Sequence, residues 1–252
     1  MKRRQRVYTG HYRVRSYETD SRDRVRPVTL LNFLQDAASL HASLLGFSIK
    51  DLREKNATWM LSRYHIRFFH YPLLGDDLRV RTWRSVCEGY YAWRDFEVLD
   101  QHGTAVCAAT SSWMVLNLST KRPVKVESVV GDFPCLDRRA LSSGFSPVPK
   151  LESWTRELPF RVRWADVDLN GHVNHAVYAG WALETIPPGF LMDFLPYEVE
   201  ISYRSEAMWG DCVLSRASKI GASDSNVFLH QLVRDGDGRE LTRLKTVWRP
   251  NH

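Results

Sequence analysis

Between a predicted strand and a predicted helix, residues 164–178 read Trp-Ala-Asp-Val-Asp-Leu-Asn-Gly-His-Val-Asn-His-Ala-Val-Tyr, with Asp168, Asn170 and His172 at alternate positions. Alternate side chains of an extended stretch share one face. A carboxylate, an amide and an imidazole would then converge beside a helix N-terminus. That set suits acyl transfer: the carboxylate attacks or activates water, while the amide and helix N–H groups stabilise a developing oxyanion. Asn174 falls where a helix N-cap belongs. The same residue types also build turns, and Asx-turns plus an N-cap would account for the segment without any chemistry.

A comparison internal to the chain separates these readings. Tyr12-Arg-Val-Arg15 reappears as Phe160-Arg-Val-Arg163, 148 residues on, and at that offset Glu18, Asp20, Val25 and Asp36 fall on Asp166, Asp168, Val173 and Glu184. Further along the offset is 135. It pairs Gly75-Asp76 with Gly210-Asp211, Arg81 with Arg216, and Asp100, Gly103 and Trp113 with Asp235, Gly238 and Trp248. Two ordered runs with one shift between them mark a duplication, the first copy carrying a longer helix or helix-strand loop. At the chemically able positions the copies differ: Asn170 and His172 face Arg22 and Arg24, whereas Asp168 faces Asp20. A segment serving only a turn has no reason to diverge there, which points to one active copy, the second.

The positioning elements read alike in both copies. An opening strand (11–17 and 159–165) leads through a polar turn to a helix. The first helix starts near Pro27, with Leu30, Phe33 or Leu34, Ala37 and Leu44 along one face. The second carries small residues, Ala176, Ala179 and Gly180 with Leu183, and stops at Pro187-Pro188. Strands follow, separated by turns at Gly75-Asp76 and Gly210-Asp211 and by hairpins at 100–103 and 235–238. The expected class is α+β: in each copy an antiparallel sheet wrapped round a central helix. The expected domains are 1–136 and 153–252, with a Ser- and Pro-rich linker at 137–152.

The totals bound the rest. The chain has 252 residues, 44% of them hydrophobic, enough for two cores. No apolar run is long enough to span a membrane, and the basic start lacks the apolar stretch of a signal peptide, so a cytoplasmic protein without stable membrane insertion is expected. Cys87, Cys107, Cys135 and Cys212 lie far apart without a C-x-x-C pair; they are expected as buried small hydrophobes, with no metal site. The net charge of +6 favours an acidic partner. It is dispersed and accompanied by no nucleic-acid-binding motif, so nucleic acid is not expected.

Trp164 to His175, followed by Tyr178, Gly180-Trp181 and Glu184, resembles the signature of acyl-ACP (acyl carrier protein) thioesterases. Trp59-Met-Leu-Ser-Arg63, Tyr71-Pro-Leu-Leu-Gly-Asp76 and Thr82-Trp83 are similar to that family's first half, and the resemblance runs over about residues 8–250. It implies two tandem hot-dog domains fused as a pseudo-dimer, and release of free fatty acid from fatty acyl carrier protein without a cofactor. Asp168 would be nucleophile or general base, with Asn170 and His172 orienting it and polarising the carbonyl. Tyr203-Arg-Ser-Glu206 supplies the family's later glutamate, Glu206. The cysteine that follows it in plant members is Ala207 here, which excludes a cysteine nucleophile at that point, and Gly171 and His175 replace the more usual Gln and Asn. The first copy would shape the acyl pocket, with helix 28–45, Trp59 and Leu61 as candidates; Asn174 and Tyr178 would contact substrate. Arg22, Arg24, Arg26, Arg63 and Arg67 are candidates to meet the carrier. An acyl-CoA thioesterase and a non-catalytic acyl-binding module are the alternatives, and a homodimer is left open.

Overall fold

Arg26 is extended and Pro27 begins a helix: the proline ring holds φ where a first helical residue needs it and lacks only an N–H that would be unpaired there. From this start the helix runs 18 residues. The structure, a computed structural model, describes residues 6–131, 135–222 and 225–251, the side chains of Cys87 and Glu88 excepted. The chain divides into two compact units, Met1–Gly144 and Phe145–His252.

The first unit contains β1 (Val7–Arg13), a 3-10 turn (Ser16–Glu18), α1 (Pro27–Leu44), α2 (Ile49–Arg53), β2 (Ala57–Phe68), β3 (Asp77–Glu88), β4 (Tyr91–Leu99), β5 (Ala105–Asn117), β6 (Pro123–Val124) and α3 (Val126–Val130). The second contains β7 (Arg156–Arg161), a 3-10 turn (Trp164–Asp166), α4 (His175–Glu184), α5 (Pro188–Asp193), β8 (Phe194–Tyr203), β9 (Cys212–Ile220), β10 (Val227–Arg234) and β11 (Glu240–Pro250). In the first the strands pair in the order β1-β3-β4-β5-β2, in the second β7-β9-β10-β11-β8, antiparallel throughout. Each sheet packs on its own long helix, the α+β arrangement expected.

The duplication extends to irregularities. β2 slips by one residue against β5 between Leu61 and Arg63, and β8 slips against β11 opposite Pro196 and Glu198, 135 residues on. The indole N–H of Trp113 donates to Ser111 Oγ and that of Trp248 to Thr246 Oγ1, both at 2.8 Å. Most of the difference in length lies in the helix, where α4 has 10 residues against 18 in α1, and the rest lies between the helix and the strand that follows. Thr185 caps α4 by donating to the Ala182 carbonyl at 2.5 Å, and Pro188 opens α5 instead of continuing it.

Three expectations are corrected. The opening strands end at Arg13 and Arg161, short of 17 and 165. Glu18 accepts from the Arg15 N–H and Asp166 from the Arg163 N–H, both at 2.8 Å, which turns the backbone into the 3-10 segments. Leu44, expected on the buried face, is 67% exposed; α1 ends there, and Leu45 and Phe47 enter the core with Leu52, Ala57 and Val115 in its place. Of the cysteines, Cys107 is buried, and burial pushes its thiol up to about 12. Cys135 and Cys212 are only half-buried. Cys87 lies outside the described side chains.

Candidate active site

The Asp168–His172 segment is a tight loop, not the extended stretch that alternation implied. The Asp168 N–H donates to the His172 carbonyl at 2.9 Å and the Gly171 N–H to the Asp168 carbonyl at 3.0 Å. Gly171 makes this possible with φ +80, a left-handed conformation that costs glycine nothing. Val167 and Val173 bridge the base of the loop. Asp168 Oδ1 accepts from the Asn170 N–H at 2.7 Å, the Asx-turn geometry that its residue types allow. One carboxylate oxygen is thereby fixed, and no further hydrogen bond reaches the Asp168 side chain from the described residues.

Two segments run side by side here. The Val173 N–H donates to the Ala207 carbonyl (3.0 Å), the Gly210 N–H to Val162 (3.2 Å), and the Val162 N–H to Asp211 (2.9 Å). This pairing carries Glu206, beyond the end of β8, to the loop. Glu206 Oε2 lies 3.3 Å from His172 Nε2, with the two side chains 58% and 32% exposed. Nε2 is the ring nitrogen that faces the carboxylate. The partner of the imidazole is Glu206; Asp168 meets His172 through backbone only.

Tyr178, on the buried face of α4, accepts from the Ala207 N–H at 2.8 Å through its hydroxyl. Burial first, and then the nearby charges of Glu206, Asp168 and Asp211, raise its ionisation well above the ordinary phenol range, so the group is a neutral hydroxyl that holds the Glu206–Ala207 backbone beside the loop. The Tyr203 hydroxyl donates to the His175 carbonyl at 3.2 Å, and the rings of Tyr178 and Tyr203 meet edge to face. Burial pushes His175 down to about 4, which keeps it uncharged near neutral pH. Asn174 caps α4, its Oδ1 accepting from the Ala176 N–H at 3.0 Å.

Asp168, Asn170, His172, Tyr178 and Glu206 therefore come together in the second unit. Tyr203 and the Ala207 N–H, which hold the arrangement, were not singled out beforehand. At an offset of 135, Ala207 falls on Pro72, and at 148 Tyr178 falls on Leu30: a donor and its acceptor are absent together from the first copy, a signal legible in sequence.

Trp59 lies in the first unit. It lines an open-mouthed, mostly apolar pocket with Ala42, Phe47, Trp93 and Trp113, to which Arg84 and Arg94 also contribute, and its indole N–H donates to the Phe47 carbonyl at 2.9 Å. Leu61 sits at the β2 bulge and is not among the lining residues. Of the arginines considered for an acidic partner, Arg24 is bound to Asp20 and Arg26 donates to the Tyr17 carbonyl. Among the described residues, no group of three or more His, Cys, Asp or Glu is arranged to hold a metal.

Two family models cover nearly the whole chain: the acyl-ACP thioesterase N-terminal domain over residues 5–132 and the C-terminal domain over 150–250. The chain belongs to the acyl-ACP thioesterase family. Among its relatives, the thioesterase is 31% identical over 278 residues to oleoyl-acyl carrier protein thioesterase 1 of Arabidopsis thaliana, covering 96% of this chain and 76% of that protein. It is 29% identical to the dodecanoyl-[acyl-carrier-protein] hydrolase of Cinnamomum camphora over 97% of this chain and 68% of the relative. The 12:0-ACP thioesterase from Umbellularia californica superposes with a TM-score of 0.88 at 26% identity, over 98% of this chain and 95% of that one. An acyl-ACP thioesterase from Bacteroides thetaiotaomicron gives 0.84 at 26% identity, over 99% and 100%. The thioesterase thus consists of two hot-dog folds in tandem and is a thioester hydrolase.

Proposed function

We propose that the second unit hydrolyses fatty acyl-ACP to free fatty acid and the carrier's thiol, with Asp168, Asn170, His172 and Glu206 as the catalytic groups. The observation that carries this reading is the His172–Glu206 contact at 3.3 Å beside the Asp168 loop, in a chain whose named relatives act on acyl carrier protein thioesters. Asp168 is the oxygen acceptor of the set: its carboxylate, steadied by the Asn170 N–H, either attacks the thioester carbonyl or takes a proton from the attacking water. The Asn170 amide and the His172 ring stabilise the carbonyl oxygen as charge develops. Glu206 orients His172. The carbon–sulfur bond breaks, the thiolate takes up a proton, and water supplies the hydroxyl of the acid. Trp59 and the apolar pocket of the first unit are proposed to receive the acyl chain.

Asp168→Asn tests the assignment. Release of thiol from an acyl-ACP should fall by about 10²–10⁴-fold with the fold intact by circular dichroism; wild-type rates in the variant would remove Asp168 from the mechanism. A single turnover in ¹⁸O-water then probes the nucleophilic role, because label in the Asp168 carboxylate requires that the carboxylate attacked and that water opened the resulting anhydride at the Asp168 carbon. A matched acyl-CoA distinguishes the alternative substrate: equal or faster turnover of the CoA ester would overturn the carrier-protein reading. No helix among the described residues is long and apolar enough to cross a membrane. Cytoplasmic placement is part of the proposal, tested by fractionation of the producing cell.

A further inference from the structure

The two segments that carry the candidate site also carry an apolar surface that catalysis does not use. Leu169 is 94% exposed, Trp164 74%, Trp209 64% and Met208 45%. The rings of Trp164 and Trp209 meet edge to face at 5.6 Å. Backbone bonds between 162 and 210–211, and between 173 and 207, hold the tryptophan-bearing stretches together. Leu169 follows Asp168 directly, and Met208-Trp209 follow Glu206 by two residues. At the matched positions the first copy has Ser16 for Trp164 and Ser21 for Leu169, with Leu74 for Trp209. The fold therefore does not require large apolar groups at 164 and 169, and leaving them in water is unfavourable.

We propose that this rim is a docking surface for the carrier protein, and that it lets the enzyme tell a carrier-bound acyl group from the same group on coenzyme A. The inference rests on the carrier-protein reading above. Both carriers present the thioester on a pantetheine arm, so discrimination needs a surface beyond the arm that coenzyme A does not cover. The net charge of this unit does not favour an acidic partner: residues 145–252 hold twelve Lys and Arg against fourteen Asp and Glu. What the rim offers instead is tryptophan and methionine beside Arg163, whose side chain is 75% exposed, the residue types that concentrate in protein interfaces and dominate their binding energy. A macromolecule bringing its thioester to Asp168 must cover Leu169 and the stretch beside Glu206, where these groups stand.

The test is the double variant Trp164→Ser/Trp209→Leu, which installs the first copy's residues and touches no proposed catalytic group. With acyl-ACP, KM should rise about tenfold or more, as loss of two aromatic anchors implies, while kcat stays within about twofold. Turnover of the matched acyl-CoA should not change. Binding of carrier protein without an acyl group, measured by calorimetry on the full chain, should weaken by the same factor. Equal KM increases on both substrates would overturn the proposal in favour of a role toward the arm, and no change on either would overturn it outright. Binding of zwitterionic phospholipid vesicles that the variant loses, with carrier binding unchanged, would reassign the rim to a lipid surface. The two readings fail separately. Carrier bound at the rim without acyl-ACP hydrolysis sinks the proposed function alone; hydrolysis indifferent to the variant sinks the docking surface alone.

Discussion

Asp20 and Asp168 occupy the same place in two copies of one loop, and what closes over the carboxylate differs. The backbone is common to both. The Asp20 N–H donates to the Arg24 carbonyl at 2.7 Å as Asp168 does to His172, Asp23 takes the left-handed conformation that Gly171 takes, and Thr19 bridges Val25 as Val167 bridges Val173. Oδ1 of Asp20 accepts from the Arg22 N–H at 2.8 Å, matching the Asn170 contact. Beyond that point the copies part. Arg24 folds back and grips Oδ2 of Asp20 through Nε and Nη2 at 3.1 and 2.9 Å. In the second copy His172 stands at that position and turns to Glu206 instead, whose own counterpart is Tyr71. The first loop spends its carboxylate on an internal ion pair, whereas in the second the Asp168 side chain has no such ion pair among the described residues.

The sharpest way to break this contrast is to neutralise each aspartate. Asp168→Asn should abolish most turnover, by about 10³-fold, and Asp20→Asn should leave kcat within about twofold while lowering the melting temperature. Equal losses of kcat would mean that the first loop is not the inactive one. The next effect belongs to the His172–Glu206 pair. His172→Gln should cost about 10- to 100-fold in kcat, and adding Glu206→Gln should cost little more, because Glu206 acts through His172 and groups acting as a unit are not additive. Fully multiplicative losses in the double variant would show that the two act independently.

Much of this contrast was legible in the sequence. The offsets of 148 and 135 located the matched positions, and the exchange of Asn170 and His172 for Arg22 and Arg24 marked the copy to watch. Alternation misled in one respect: Gly171 lets the chain turn back within the loop, so Asp168, Asn170 and His172 do not share the face of an extended strand. Glu206 could be named only through a family pattern, since a glutamate 34 residues after His172 carries no local sign of where a strand end will bring it. The exposure of Leu44 escaped periodicity for a related reason. A helical face says which side is apolar, but not where the covering layer stops.

Tyr178 and Ala207 offer a stability test of the same comparison. Tyr178→Phe leaves the buried Ala207 N–H without its acceptor, a loss of about 1–3 kcal/mol. The first copy avoids that demand by having Leu30 and Pro72 there, a side chain without an acceptor facing a residue without an N–H. Adding Ala207→Pro to Tyr178→Phe should therefore recover part of the loss, read as a melting temperature between those of the single variant and wild type. A double variant less stable than Tyr178→Phe alone would show that the copies have diverged too far at this point to exchange parts.

The smallest effect tests the closed loop by acid. Burial works to raise the Asp20 pKa, but the N–H groups of Arg22 and Arg24 and the Arg24 guanidinium outweigh it, and the carboxyl titrates below its usual value of 3.8. The native state then stays ionised where the unfolded chain takes up a proton. Between those two pKa values the unfolded state binds more protons, so the stabilisation is present above the unfolded value and is lost as pH falls through the folded one. The ion pair is partly exposed, with side chains 13% and 33% accessible, which limits its worth to about 1 kcal/mol or less. Arg24→Leu should accordingly lower stability slightly at pH 6, leave turnover unchanged, and flatten the fall in melting temperature between pH 5 and 3. An acid limb as steep as in wild type would mean that Arg24 does not hold the Asp20 charge, and that the first loop is closed by its backbone alone.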